Sequence, residues 1–352
     1  MVHQGYGVGA RGVLLVNLGS PDAPTIPAVR RYLDEFLMDP CVIDSPRAIR
    51  RLIVSGFILP FRPKRTAHAY ASIWGPEGSP LVALSRKFAA GLAERVPVPV
   101  SLAMRYGSPT VDDALQELLA RDVREILLFA LYPHHADSTR TTAIRFVRNR
   151  LARLDGSVGL RIVPPFYDDP AYIAALSGVC RRHLPAAFDL LLFSFHGIPE
   201  RHVRRADPTG THCLEAENCC EVRSSAHASC YRHQTRVTAR LAARSLGLDE
   251  PRWAVSYQSR LGRLPWLTPY TDDVLDSALE RGIRRLVVAC PAFVADNLET
   301  LEEIGIRGRE RFLAAGGEDF TLIPCLDDDA CWLEVVAGWC LDPPPESPID
   351  GH

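Results

Sequence analysis

The chain has 352 residues, with 40 Lys+Arg against 42 Asp+Glu and a formal net charge of −2. This length supports two domain cores rather than one, and a hydrophobic content of 47% excludes collagen-like, coiled-coil and disordered classes. A near-neutral charge argues against a nucleic-acid partner, and no apolar run approaches the roughly 20 residues that a membrane-crossing helix needs.

In chain order, short apolar runs at 12–19, 98–106, 125–132, 160–165, 189–196, 253–258, 286–292 and 320–325 read as strands. They are almost continuously apolar, as strands of a parallel sheet covered on both faces are. Amphipathic stretches at 111–120, 236–245, 272–281 and 298–314 read as helices between them. This alternation predicts a doubly wound α/β fold. The segment 53–61 (IVSGFILPF), followed by Arg62, Lys64 and Arg65, suits either a core helix or a peripheral membrane contact. A terminal helix is expected at 327–341, and the proline-rich 342–352 reads as a disordered tail. The opening residues carry no charged stretch leading into an apolar one, which predicts a cytoplasmic location, with the membrane contact placed at the inner face.

The sequence repeats itself at about half its length. Residues 110–130 (TVDDALQELLARDVREILLFA) parallel 270–290 (YTDDVLDSALERGIRRLVVAC), and 136–141 (ADSTRT) parallels 295–300 (ADNLET). The first strands match more loosely, LLVNLGSP at 14–21 against LLFSFHGIP at 191–199. A duplicated α/β domain follows: 1–158, then 159–326 with a cysteine-containing insertion at 205–232. Duplication predicts a cleft where strand C-terminal ends face a shared ligand.

Four places beyond expected strands bear polar chemistry. Asn17-Leu18-Gly19-Ser20-Pro21 is a turn, and without Gly-x-Gly-x-x-Gly spacing it does not support a dinucleotide site. Ser194 to Pro199 (SFHGIP) sets His196 at the last strand position before a glycine. An imidazole there suits metal ligation or proton acceptance, or equally a core histidine bonded to a carbonyl. In Asp296 to Glu303 (DNLETLEE), a helix starting near Asp296 puts Asp296, Glu299 and Glu303 on one face. Helix capping and a carboxylate column that collects protons both explain that pattern. Finally, Cys213-x5-Cys219-Cys220-x9-Cys230 lies among His212, His227 and His233. Four thiolates in a short loop suit zinc or an iron–sulfur cluster, and the lack of paired C-x-x-C knuckles favours the cluster over zinc.

The motifs LLVNLGSP (14–21), RRYLDEFLMDP (30–40), YASIWGPEGSPL (70–81), AMRYGSPT (103–110), FSFHGIPERH (193–202), YQSRLGRLPWLTPYTDD (257–273) and CPAFVADNLETLEEI (290–304) resemble those of the ferrochelatases. These enzymes insert ferrous iron into a porphyrin, and the resemblance spans 14 to about 326. It implies two similar Rossmann-like domains with parallel sheets, and a porphyrin cleft between them. It also implies roles for particular residues. His196 and Glu299 match the active-site histidine and glutamate that face each other across the macrocycle and meet the Fe2+ substrate. Tyr106, Tyr132, Trp266 and Phe293 match aromatic positions of the porphyrin site, and Leu18 an apolar one. Arg62, Ser79 and Ser259 match positions near the propionates, and Arg105 an arginine beside Tyr106. Asp296 and Glu303 match an acidic path from Glu299 to solvent.

Cys213, Cys219, Cys220 and Cys230 resemble an internal cluster motif of some bacterial members, which implies a [2Fe–2S] cofactor. The mid-chain cysteine that other members use instead corresponds to Asp137 here. The chemistry suits the residue types. Bending the macrocycle exposes nitrogen lone pairs, and a close-fitting aromatic site supplies the strain from binding energy. Two pyrrole protons then leave as Fe2+ enters. His196 is the expected acceptor, with Glu299 escorting metal or proton. Protoporphyrin IX is the expected substrate. The alternatives are a related cobalt or sirohaem chelatase, which the PWL and YASIWG blocks disfavour, and a non-catalytic tetrapyrrole carrier. A carrier has no use for a histidine facing an acidic column.

Overall fold

Every expected apolar run forms a strand: β1 (Arg11–Ser20), β2 (Val100–Gly107), β3 (Glu125–Ala130), β4 (Gly159–Ile162), β5 (Leu190–His196), β6 (Trp253–Gln258), β7 (Arg285–Ala289) and β8 (Asp319–Leu322). The computed structural model describes residues 11–260, 262, 264–347 and 349. Residues 1–10 of the expected first domain, and 348 and 350–352 of the expected tail, lie outside the described residues.

The strands form two four-stranded parallel sheets, ordered β2-β1-β3-β4 and β6-β5-β7-β8. The identical order is the structural form of the sequence repeat. The first strand of each half is central, which explains why its residues are apolar on both faces. Leu14, Val16, Leu128 and Ala130 pack with the helices Val111–Leu119 and Thr142–Leu154. Phe129, of opposite parity on β3, stacks on Trp339 of the terminal helix Ala330–Leu341, with ring centroids 5.8 Å apart. The second sheet has an equivalent core of Leu190, Leu192, Leu286 and Val288 with Leu275 and Phe312.

Two compact units result. Of the described residues, the first comprises 11–132, Asp137–Pro164 and those from Leu333 on; the second is Pro133–Ala136 with those of Pro165–Trp332. The expected boundary after 158 therefore moves past β4. The crossover helix Thr142–Leu154 returns the chain to the first sheet, where β4 pairs with β3. The described start of the expected tail is likewise held. Arg161 Nη2 donates to the Pro343 carbonyl at 2.8 Å, and Glu346 Oε1 accepts the Ile162 N–H at 3.0 Å. A carboxylate thus satisfies a backbone donor on the open edge of β4.

The stretch expected as one helix at 298–314 is a π-helical segment, Glu299–Gly308, running into the α-helix Arg309–Ala314. The first unit has a π-helical turn, Asp137–Thr141, at the matching place in its repeat. Such widened turns concentrate at functional sites. The segment 53–61 is not a core helix. It ends the helix Arg47–Ile53 and forms a π-turn, Val54–Ile58, that buries Val54 and Leu59 but leaves Phe57 and Phe61 70% and 76% exposed. Among the described residues, no helix is long and apolar enough to cross a membrane.

Candidate active site

In the second unit the carboxyl ends of β5, β6 and β7 bring together seven of the residues singled out from the sequence: His196, Ser259, Trp266, Phe293, Asp296, Glu299 and Glu303. This is where open parallel sheets bind ligands. His196 is the last residue of β5. Its Nδ1 lies 2.7 Å from the Gly197 carbonyl oxygen. A carbonyl only accepts, so Nδ1 carries the hydrogen, and the neutral ring keeps its lone pair on Nε2. The strand end is fixed by the Tyr231 hydroxyl, which donates to the His196 carbonyl at 2.8 Å, and Phe293 meets the imidazole edge-on at 6.2 Å.

Gly197 is required by its surroundings. A Cβ there would lie 2.9 Å from the Gln258 carbonyl oxygen and 3.3 Å from the Trp266 ring. That close approach lets the turn after His196 join the loop that carries Trp266, through Leu267 N–H to the Ile198 carbonyl at 3.1 Å and Glu200 N–H to the Pro265 carbonyl at 3.0 Å. The Trp266 Nε1–H is buried with no protein acceptor, a donor left for a bound molecule or water. In the first half, Gly19 (φ 105°) is still more crowded, since a Cβ would fall 1.8 Å from the Tyr106 carbonyl oxygen.

Gln258 ties the ends of β5 and β6 to the acidic segment. Its Oε1 accepts from Ser194 Oγ at 2.7 Å and its Nε2 donates to the Glu299 carbonyl at 3.0 Å. Ser259, next along, donates to Glu303 Oε2 at 2.7 Å. Ser259 is therefore joined to the acidic segment. Asn297, to which the sequence assigned no role, is the residue that caps it: its Oδ1 accepts the N–H groups of Glu299 at 2.9 Å and Thr300 at 3.2 Å.

Asp296 precedes the π-helical segment and is buried, with its Oδ1 accepting from Thr300 Oγ1 at 2.8 Å and Cys325 N–H at 3.3 Å. It thus does not sit on a shared α-helical face with Glu299 and Glu303. Burial raises its carboxyl pKa above the ordinary range. Beneath it is Asp327, absent from the sequence reading, whose Oδ1 accepts the Asp296 N–H at 2.8 Å. Burial, then the charge of Asp296, pushes Asp327 up to about 7. The folded state therefore keeps a proton that the unfolded chain releases above about pH 4. Stability is lost as pH rises from there towards 7. Asp327→Asn retains the acceptor and is expected to raise the melting temperature at pH 8, by about 3 °C per kcal/mol relieved, and to leave it unchanged at pH 4. Equal gains at both pH values in a calorimetric series would sink this account.

The first unit holds the remaining candidates. Leu18, half-buried, lies two residues before the end of β1. Ser79 is the buried N-cap position of the helix Pro80–Ala93, and its side chain makes no capping bond. Arg105 and Tyr106 lie on β2, where Arg105 Nη2 pairs with Asp39. Tyr132 is buried after β3 with its hydroxyl unpartnered in protein. Arg62 is exposed at the start of the helix Arg62–Ile73, beside Phe61.

The insertion gathers its four cysteines, all buried. Cys213 and Cys220 each share a hydrogen bond with Cys230. Donors converge on sulfur: Leu214 N–H and Arg232 Nη1 on Cys219 Sγ, each at 3.4 Å, and His233 N–H on Cys230 Sγ at 3.5 Å. His212 and His227 donate from Nε2 to the Cys219 carbonyl at 2.7 and 3.1 Å, and His233 from Nδ1 to the Cys220 carbonyl at 2.9 Å. Among the described residues no three such side chains are already arranged around a single-ion position. A two-iron cluster spreads its four ligands over two metals, and backbone and guanidinium donors aimed at sulfur suit thiolates. The donor set fits a cluster.

The fold is similar to SirB from Bacillus subtilis with Fe3+ (TM-score 0.52, 12% identity, covering 93% of each chain). It is also similar to the sirohydrochlorin chelatase SirB of Bacillus subtilis subspecies spizizenii in complex with cobalt (TM-score 0.53, 10% identity, covering 95% and 96%). At the level of sequence, the Ferrochelatase family model matches residues 10–342. The ferrochelatase of Azotobacter vinelandii is 53% identical over 94% of this chain and 98% of its own length, and that of Pseudomonas aeruginosa strain LESB58 52% over 92% and 96%. The chain belongs to the ferrochelatase family.

Proposed function

We propose that His196 and Glu299 carry out the reaction of this family member, the insertion of ferrous iron into a porphyrin to make haem. One observation carries the assignment: Nδ1–H of His196 is spent on the Gly197 carbonyl, so Nε2 alone is presented to accept a proton or meet the metal. Imidazole and carboxylate bind Fe2+ more weakly than thiolate, which suits a metal that must be passed on. The two pyrrole protons leave by way of His196. Glu299, whose backbone carbonyl is held by Gln258, passes them or the incoming metal along Glu303 and Asp296. Phe293 and Trp266 supply aromatic walls on the second unit. Leu18, Tyr106, Tyr132 and Arg105 supply apolar and flat contacts on the first. Arg62, Ser79 and Ser259 serve the propionates of protoporphyrin IX.

Cys213, Cys219, Cys220 and Cys230 would hold a [2Fe–2S] cluster. When bound, it supplies a one-electron redox centre and a cross-link for an otherwise irregular loop. The exposed Phe57 and Phe61, with Arg62, Lys64 and Arg65 beside them, form a peripheral membrane contact through which an apolar porphyrin arrives.

The test is anaerobic metallation of protoporphyrin IX delivered in anionic phospholipid vesicles. Wild-type protein is expected to produce haem with Fe2+ and to co-sediment with the vesicles. Phe57→Ser/Phe61→Ser is expected to co-sediment about tenfold or more weakly. Binding of porphyrin without turnover would mean a carrier, and exclusive turnover of sirohydrochlorin would mean the sirohaem relative.

A further inference from the structure

Asp39 stands in the LMDP motif just after the helix Ile26–Leu37, and its side chain is only 5% exposed. A carboxylate this buried needs partners for both oxygens. Oδ1 accepts the Cys41 N–H at 2.7 Å. Oδ2 accepts from Thr142 Oγ1 at 2.6 Å and the Tyr106 hydroxyl at 3.1 Å, and it pairs with Arg105 Nη2. Burial opposes the charged form. The bonds from Thr142, Cys41 and Tyr106 and the charge of Arg105 outweigh it and hold the carboxyl below its usual range.

Arg105 is enclosed in turn. Its Nε donates to Thr142 Oγ1 at 2.8 Å, and its guanidinium lies over the Tyr106 and Phe146 rings at 4.3 and 4.1 Å. Phe36 packs edge-on against Tyr106 at 5.1 Å. An arginine neutralised in place and stacked between two rings is a flat wall, not a free counter-ion for a propionate. Without the Asp39 charge, the guanidinium would be a buried, unmatched cation and would leave the stack, and Tyr106 would lose its acceptor.

We infer that Asp39 is a positioning residue of the porphyrin site, holding Arg105 and Tyr106 in one arrangement and cancelling the arginine's charge. The inference rests on the proposed assignment of Arg105 and Tyr106 to porphyrin binding. It predicts a split in steady-state kinetics. Asp39→Asn should raise KM for protoporphyrin IX about tenfold, because charge-assisted bonds are lost, while kcat, set at His196, stays within about threefold. In a double-mutant cycle with Arg105→Gln, the KM effects should be non-additive, since each change breaks the same pair. Additive effects would overturn the inference, as would a lowered melting temperature with wild-type KM, the mark of a merely structural carboxylate. Should Asp39→Asn not fold, Thr142→Val removes the two bonds that join Thr142 to Asp39 and to Arg105 and keeps both charges; a KM raised severalfold supports the inference and an unchanged KM overturns it. Wild-type KM in both Arg105→Gln and Tyr106→Leu would remove the porphyrin assignment itself, whereas raised KM in those two with an additive cycle removes only the role of Asp39.

Discussion

His196→Ala is expected to lower kcat for iron insertion by about 10³-fold while leaving porphyrin affinity nearly intact, consistent with loss of a general base that also meets the metal. Several other polar groups at the strand ends are engaged with one another: Gln258 with Ser194 and the Glu299 carbonyl, Ser259 with Glu303, Asp296 with Thr300. None of these is an imidazole, so substitution removes the one nitrogen lone pair the strand end presents and leaves only carboxylates to accept the protons. Single-turnover absorbance of haem formation, beside fluorescence quenching for porphyrin binding, separates the two quantities. A variant that binds and metallates at the wild-type rate would end the assignment.

Cys230→Ser should have the second large effect. The Cys230 thiol is the common partner of Cys213 and Cys220, its Sγ accepts the His233 N–H at the start of the helix Tyr231–Ser245, and it stands at that helix's N-cap. A bound cluster would add a cross-link through four thiolates to a loop that is otherwise held by hydrogen bonds such as those of Asp207 with the His212 and Cys213 N–H groups. Freshly purified wild type is expected to absorb in the visible as iron–sulfur proteins do. The serine variant is expected to be colourless and to melt about 10 °C lower or more, as loss of several kcal/mol would require. A colourless wild type carrying stoichiometric zinc would replace the cluster with a zinc site.

The strands were legible because burial on both faces leaves an almost unbroken apolar run, as Val13 to Val16 and Leu190 to Phe193 show. The repeat was legible because both halves use the same Asp-Asp helix start before β3 and β7. What escaped notice depended on three-dimensional pairing. Gln258 and Tyr231 look like ordinary surface-type residues until the strand ends are side by side. Asp39 gives no sign in sequence that Thr142, more than a hundred residues later, bonds to it. Asp327 lies in a run of aspartates where the terminal helix was expected to begin, whereas that helix starts at Ala330. The π-helical form of Glu299–Gly308 is invisible to a periodicity of 3.6, which is why one continuous helix was expected there. The edge-strand role of Glu346 was hidden by a composition that otherwise signals disorder.

The return of the chain to the first unit at Leu333 has a consequence for biogenesis. Trp339, which covers Phe129, is translated only after the entire second unit. The amino-terminal half must therefore wait with Phe129 lacking its covering ring, although the helix Pro80–Ala93 already packs on β1 and β2, while the half bearing the histidine has all its strands before the last helix is made. The first unit is thus begun first and finished last, since its closing helix is the final element of the chain.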